Sequence, residues 1–499
     1  MARSGRVAQY CLIGLAALVP MYAAAATLSL PEVAPIPADA GKHGRPFNSA
    51  VVDLSSYGYV ESEYRMSGST NTYRAANHWG RDGVWDVRTT NGQQDYATRL
   101  LVRRPADPKA FNGVVIVEWL NVTLGFDTDV EWAQSYEQFM RDGYAWVGVS
   151  AQTTGVNALR SWDRQRYGSL HERDNGQSYD IFTQAEQAVR ANFGLMLGGA
   201  APKVIIGAGQ SQSATRLITY FNAIQPLYHA YDAFLLHDRT AGSAPLDQSP
   251  FNNRALSQSG PFPSYLRTDG VTPAIQVESE TDVSLLQFSH ARQPDNAYLR
   301  TWEVAGAAHG DAYSQQTLSA EVQRDLNLPP VDCGKPINSF PLHYALNAAW
   351  GALMHWVLGG TPPPSAEPIQ TTVGGVIQRD AYGNALGGVR LPDIQVPVAS
   401  YTAGNHSAIG SGQGFDGEFV CTLLGATEPL SSYTLDQLYN THHSYSSDYV
   451  QAAASALSAG FMTTADYNQA VDDARSSDVG KPLVLLNEGV GFANWGQLR

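Results

Sequence analysis

Apolar residues in the first two thirds of the chain fall into two alternating patterns. Short continuous runs rich in β-branched residues occupy positions 113–121 (GVVIVEWLN), 145–152 (AWVGVSAQ) and 203–209 (KVIIGAG). A run without polar alternation is what a strand buried on both faces requires. Residues 95–105, 232–238, 273–279 and 301–306 read as further strands. Between them, segments with helical spacing predict helices over 131–142, 181–194 and from about 212 to 223. Strands alternating with helices imply parallel pairing through crossovers, hence a mostly parallel, doubly wound α/β sheet covered on both faces. In such a sheet the ligand crevice lies beyond the carboxyl ends of the strands, so chemistry is expected in the loops that leave those ends.

Two segments break the alternation. Residues 153–180 and 240–270 are rich in polar residues, Gly, Pro and aromatics, and are too long for simple connections. Both are expected to be lid or binding loops, with Trp162, Tyr167, Phe251, Phe262 and Tyr265 as candidate pocket-lining or ordinary packing aromatics. After Gly310 the pattern changes again. HYALNAAWGALMHWVLGGTPPP predicts a helix stopped by glycines and prolines. Residues 374–401 suggest a hairpin turning at Tyr382-Gly383-Asn384, and residues 433–476 two or three amphipathic helices. The expected organisation is a single unit spanning residues 27–499. Its core covers about 45–310, and a C-terminal hairpin and helical extension covers about 311–499.

Composition narrows the setting. The chain has 499 residues, 43% of them hydrophobic and 16% charged, which suits a folded protein rather than a disordered one. Its 46 acidic residues outnumber its 32 Lys and Arg, and the formal charge of −14 offers no basic footprint for nucleic acid. Residues 1–26 carry two arginines, a short apolar run containing Pro20, and a small-residue stretch, the three-part pattern of a signal peptide. The expectation is a secreted or periplasmic protein whose mature chain has no membrane span. Removing that leader removes Cys11 and leaves Cys333 and Cys421, which an oxidising compartment would join in one disulfide. Neither cysteine has a His or Cys neighbour at ligand spacing, so no metal site is expected.

The chemistry concentrates after residue 203. In VIIGAGQSQSAT, Gly209-Gln210-Ser211-Gln212-Ser213 matches the G-x-S-x-G nucleophile elbow except that serine stands in the last glycine's place. Ser211 is then the nucleophile and Ser213 a small packing residue. An elbow of this kind needs an acid and a histidine later in the chain. AIQVESETDV and EVAGAAHGDAY supply them at the ends of two predicted strands. His309 is flanked by small residues that suit a tight loop presenting one side chain. Asp282 is the first choice of acid, Glu280 the alternative, and Asp238 after the preceding strand a more distant third. The imidazole must take the serine proton, and a carboxylate must hold its tautomer. Backbone N–H groups of Gln212 and of Leu120 or Asn121 are the expected oxyanion donors.

Taken together, VVIVEWLNVTLG, YAWVGVSAQTTGV, IIGAGQSQSATRL, VESETDV and EVAGAAHGD resemble a family of exported bacterial α/β-hydrolase-domain proteins. The resemblance extends through GGVRLPDIQVPVASY and LDQLYNTHHSYSSDYV, from about residue 45 to near 480. It implies the α/β-hydrolase fold, Ser211, His309 and an acid within residues 279–282 as a triad, and by analogy hydrolysis of a carboxylic ester, without implying a substrate. A small-molecule or oligomeric ester is expected, with no cofactor. An amidase, peptidase or polymer hydrolase on the same triad is the alternative, and a non-catalytic binding protein on the same fold is a second one. The oligomeric state is left open.

Overall fold

The computed structural model describes residues 28–90, 92–247, 262–411 and 414–481. The leader assigned to residues 1–26, and residues 248–261 of the second lid segment with Phe251, lie outside the described residues. Nine strands form the central sheet: β1 (Glu32–Ile36), β2 (Tyr59–Thr70), β3 (Gln94–Pro105), β4 (Val114–Trp119), β5 (Ala145–Val149), β6 (Val204–Gln210), β7 (Ala233–His237), β8 (Ala274–Ser279) and β9 (Leu299–Val304). Their spatial order is β1-β2-β3-β5-β4-β6-β7-β8-β9. The first three strands join antiparallel, and the six from β5 to β9 run parallel.

Both faces of the parallel strands are apolar because each face has its own helical layer. Val114 and Ile116 point into one hydrophobic cluster, and Val115 and Val117 into the other. The second cluster holds α3 (Ser178–Ala191) and α4 (Gln212–Thr219), the latter continuing into a wider π turn over Tyr220–Ile224. The first holds α1 (Val130–Asp142), beside which α5 (Ala312–Leu326) lies, and α6 (Leu342–Val357), and it runs on without a break into α7 (His442–Ala459) and α8 (Thr464–Ser476). The C-terminal extension therefore shares the core of the sheet. The disulfide Cys333–Cys421 ties the chain ahead of α6 to the helix Gly414–Leu424.

Several expectations need correction. Strands β1 and β2 carry no clean apolar pattern, since β2 reads YVESEYRMSGST. Its Glu61 and Glu63 are there to pair with the buried Arg103 and Arg166 rather than to face water. Segment 153–180 is not an open loop. It folds as α2 (Thr153–Trp162), a short turn Arg164–Tyr167 capped by Asp163, and the approach to α3. Trp162 and Tyr167 are buried with Phe47, Val156 and Leu159, so they are packing residues and do not line a pocket. The hairpin expected at 374–401 exists as isolated bridges, Arg379 to Ala385 and Thr371 to Ile377, around a turn where Gly383 has φ 86°. Its last residues belong to β10 (Ala399–Thr402), which pairs with β11 (Ala426–Pro429) instead.

Candidate active site

Parallel strands place their carboxyl ends along one edge, and four adjacent ends converge here. In register, Gln210 of β6 pairs with His237 of β7, Val277 of β8 with His237, and Val304 of β9 with Ser279. Ser211, Asp238, Asp282 and His309 follow within a few residues of these ends.

Ser211 sits at φ 61°, ψ −117°, outside the regions open to an ordinary L-residue, between β6 and the first turn of α4. Strain of this kind persists only where surrounding contacts hold it. The Ser211 N–H donates to the His237 carbonyl at 2.9 Å, which fastens the elbow to the neighbouring strand. Tightness explains the small residues around it. A Cβ on Gly209 would stand 3.0 Å from Ser213 Cβ and 3.3 Å from Leu217 Cδ1, so strand and helix touch at this point. Ser213 fills the place of the missing glycine, and its hydroxyl donates to the Leu120 carbonyl at 3.2 Å.

His309 Nε2 lies 2.8 Å from Ser211 Oγ, and its Nδ1 lies 2.7 Å from Asp282 Oδ1. Ser, imidazole and carboxylate thus form one hydrogen-bonded chain, nearly closed to solvent. The His309 loop is held by the Thr281 hydroxyl, which accepts from the His309 N–H at 3.2 Å, and by Asn338, whose amide donates to the Gly306 carbonyl at 2.9 Å. Gly306 has φ 87°, and a Cβ there would meet Ile394 Cδ1 at 2.5 Å, so only glycine fits this bend.

Asp282 is held by its own helix. Ser279 caps the short helix Glu280–Ser284, and Asp282 at the third helical position accepts from the Ser279 N–H at 3.0 Å, a capping box. Burial raises the Asp282 carboxyl, but the positive charge of His309 and hydrogen bonds from Asp238, His309 and Ser279 outweigh it and hold it down at about 2. Glu280, the alternative acid, is turned away. Its Oε1 accepts from the Gly306 N–H at 2.6 Å and its Oε2 from Arg379 Nη2 at 2.7 Å, so it braces the His309 loop without touching the imidazole.

The oxyanion expectation is borne by only part of the geometry. Gln212 opens α4, where its N–H has no intrahelical acceptor. Leu120 and Asn121, however, have committed N–H groups: Leu120 donates to the Val149 carbonyl at 3.2 Å, and Asn121 to the Thr128 carbonyl at 3.0 Å. The Asn121 side chain donates to the Gln210 carbonyl at 3.0 Å. The next residue, Val122, has an N–H with no hydrogen-bond partner among the described residues. A bridge between Asn121 and Thr128 produces this pattern, and nothing in the local sequence announces it. Asp238, ranked last among the acids, is the one side chain of the site that sequence underrated. It lies within 4.8 Å of both Asp282 and His309. Its position after a strand end was the available signal.

A family model described as an alpha/beta hydrolase domain matches residues 33–472. No curated protein matches the chain. Among solved structures, an esterase of the fungus Rhizomucor miehei is similar at 13% identity, with 53% of this chain and 85% of that one covered and a TM-score of 0.27. A serine hydrolase without a lid from Xanthomonas campestris is similar at 12% identity, covering 53% and 97%, with a TM-score of 0.29. Esterase 2 of Thermogutta terrifontis is similar at 15% identity, covering 53% and 91%, with a TM-score of 0.30.

Proposed function

The chain belongs to the α/β-hydrolase-domain family, and from that premise we propose that it is a serine hydrolase acting on carboxylic esters through an acyl-enzyme on Ser211. The observation that carries the proposal is the unbroken chain Ser211 Oγ, His309, Asp282, at 2.8 and 2.7 Å, assembled on adjacent strand ends. His309 Nε2 takes the proton of Ser211 as Oγ attacks the ester carbonyl, and Asp282 stabilises the imidazolium that forms. The oxyanion is met by the Gln212 N–H, with the Val122 N–H as the second donor in place of Leu120 and Asn121. Imidazolium then protonates the leaving alcohol. Water attacks the acyl-enzyme with His309 as base, and the acid departs. Each step uses groups of this chain. Small-molecule or oligomeric esters are the proposed substrates, processed by one unit comprising residues 27–499. The Cys333–Cys421 disulfide supports work outside a reducing cytosol, after removal of residues 1–26. No helix among the described residues is long and apolar enough to cross a membrane.

Hydrolysis of p-nitrophenyl acetate tests the reading. Wild-type protein is expected to turn it over, and Ser211→Ala to lose about three orders of magnitude or more in kcat, as removal of a triad nucleophile does. Turnover that survives in Ser211→Ala contradicts the assignment.

A further inference from the structure

Two buried carboxylates, not one, stand at the histidine. Asp238 Oδ2 lies 3.8 Å from His309 Nδ1, and Asp282 Oδ1 lies 2.7 Å from the same nitrogen. The single N–H of Ser279 is shared between them, 3.0 Å from Asp238 Oδ1 and 3.0 Å from Asp282 Oδ2. Both side chains are wholly buried. Two like charges this close, out of water and sharing one donor, cannot both persist, and one proton between them resolves the conflict. The remaining partners decide which acid keeps it. Asp282 has the imidazole Nδ1 and the Ser279 hydroxyl as strong donors, both favouring the anion. Asp238 has the Gln210 amide at 3.3 Å and the His237 ring Nε2 at 3.2 Å. Its backbone is also held in the left-handed region, φ 55°.

We propose that Asp238 is a positioning residue of the Ser211–His309–Asp282 array: a carboxylic acid that retains its proton, donates it to Asp282, and so fixes Asp282 Oδ1 on His309 Nδ1. The proposal rests on the serine-hydrolase reading above. Burial and the charge of Asp282 push the Asp238 carboxyl well above the usual range. The groups that face it are His237 on its own strand, Glu278 and Asp282 from β8 and its following helix, His309 beyond β9, and Gln210 on β6. Behind His237 stands Glu131 of α1, its Oε1 3.3 Å from His237 Nδ1. A protonated Asp238 keeps the charge count beside His309 at one anion, Asp282, so the imidazolium of the reaction is balanced and not over-stabilised.

Infrared difference spectroscopy and a pH profile test this together. The wild type minus Asp238→Asn spectrum at pH 7 is expected to contain the carbonyl stretch of a protonated carboxyl. In Asp238→Asn, kcat/KM is expected to fall about tenfold through looser placement of Asp282, while the midpoint of its acid limb stays within about 0.3 pH unit of wild type, because a neutral group replaces a neutral group. Absence of that band overturns the proposal, and so does an acid limb displaced downward by more than about half a unit, since both mean that an anion was removed from beside His309. An Asp238 anion paired with a His237 cation would give that result. A stoichiometric metal ion bound between Asp238, Asp282 and His309 in the purified protein would overturn it too. If Asp238→Asn does not fold, Asp282→Asn serves instead: the acceptor of the Asp238 proton changes from a carboxylate to an amide, so the protonated-carboxyl stretch is expected to shift in the wild type minus Asp282→Asn spectrum, and a spectrum with no feature in that region contradicts the shared proton. Fluorophosphonate labelling of wild-type Ser211 keeps the two readings apart. Failure to label speaks against the hydrolase, whereas labelling with a displaced acid limb speaks against Asp238 alone.

Discussion

Ser211 and Ser213 are separated by one residue and by their whole chemistry. The first carries a strained backbone and a hydrogen bond to His309; the second carries helical geometry and a hydrogen bond to the Leu120 carbonyl. Ser213→Ala removes only that last bond, and it is expected to cost about 1 kcal/mol of stability, with kcat changed by less than about tenfold. A loss as large as that of Ser211→Ala would show that Ser213 takes part in the chemistry. Ser211, His309 and Asp282 were legible in the chain because each follows a recognisable strand end, and parallel strands bring such ends to one edge. The direction of a side chain is not legible in that way. Glu280 and Asp282 are two residues apart, and only the helix that starts at Ser279 turns one towards the imidazole and the other towards Gly306 and Arg379. The S-x-x-D capping box was a readable sign of that helix. Leu120 and Asn121 were expected as oxyanion donors beside Gln212 for a related reason: the backbone pairing across the loop that occupies their N–H groups is not legible in the chain.

At the scale of elements, the strands buried on both faces were easy to locate because burial on two sides leaves an uninterrupted apolar run. Strand β2 and segment 153–180 were hidden by charge. Arg99, Arg103 and Arg166 are buried and neutralised by Glu61, Glu63, Asp127 and Asp129, so residues that read as solvent-facing are interior. The pinned C-terminal extension makes a testable element. The Cys333–Cys421 bridge closes a loop of 88 residues. In the chain-entropy account, removing it with a Cys333→Ala/Cys421→Ala pair costs about 4.6 kcal/mol, so the melting temperature is expected to fall by several degrees. An unchanged melting temperature would mean that the shared core alone holds the extension.

The whole molecule carries an unusual load of buried acids, and its stability should depend on pH accordingly. Burial lifts the Asp393 carboxyl to about 6, with the Tyr449 hydroxyl donating to it at 2.9 Å. An acid whose folded pKa is raised binds its proton more tightly when folded, so stability is lost as pH rises from the unfolded value near 3.8 through about 6. Asp393→Asn stays neutral throughout. Relative to wild type it is expected to gain up to about 3 kcal/mol between pH 4 and pH 7.5, read as a melting temperature difference that grows with pH. A difference that is constant or shrinks with pH would show that Asp393 is ionised in the fold. Asp282 has the opposite sign: its contribution is present above the unfolded value and fades as pH falls towards about 2.

The central claim is that one serine, placed by the β6–α4 elbow against His309, is the nucleophile. Fluorophosphonate labelling of the purified protein followed by peptide mass mapping tests it most directly. The account predicts one adduct per chain, on Ser211, absent from Ser211→Ala; no adduct on the wild type, or an adduct on Ser213, would contradict it.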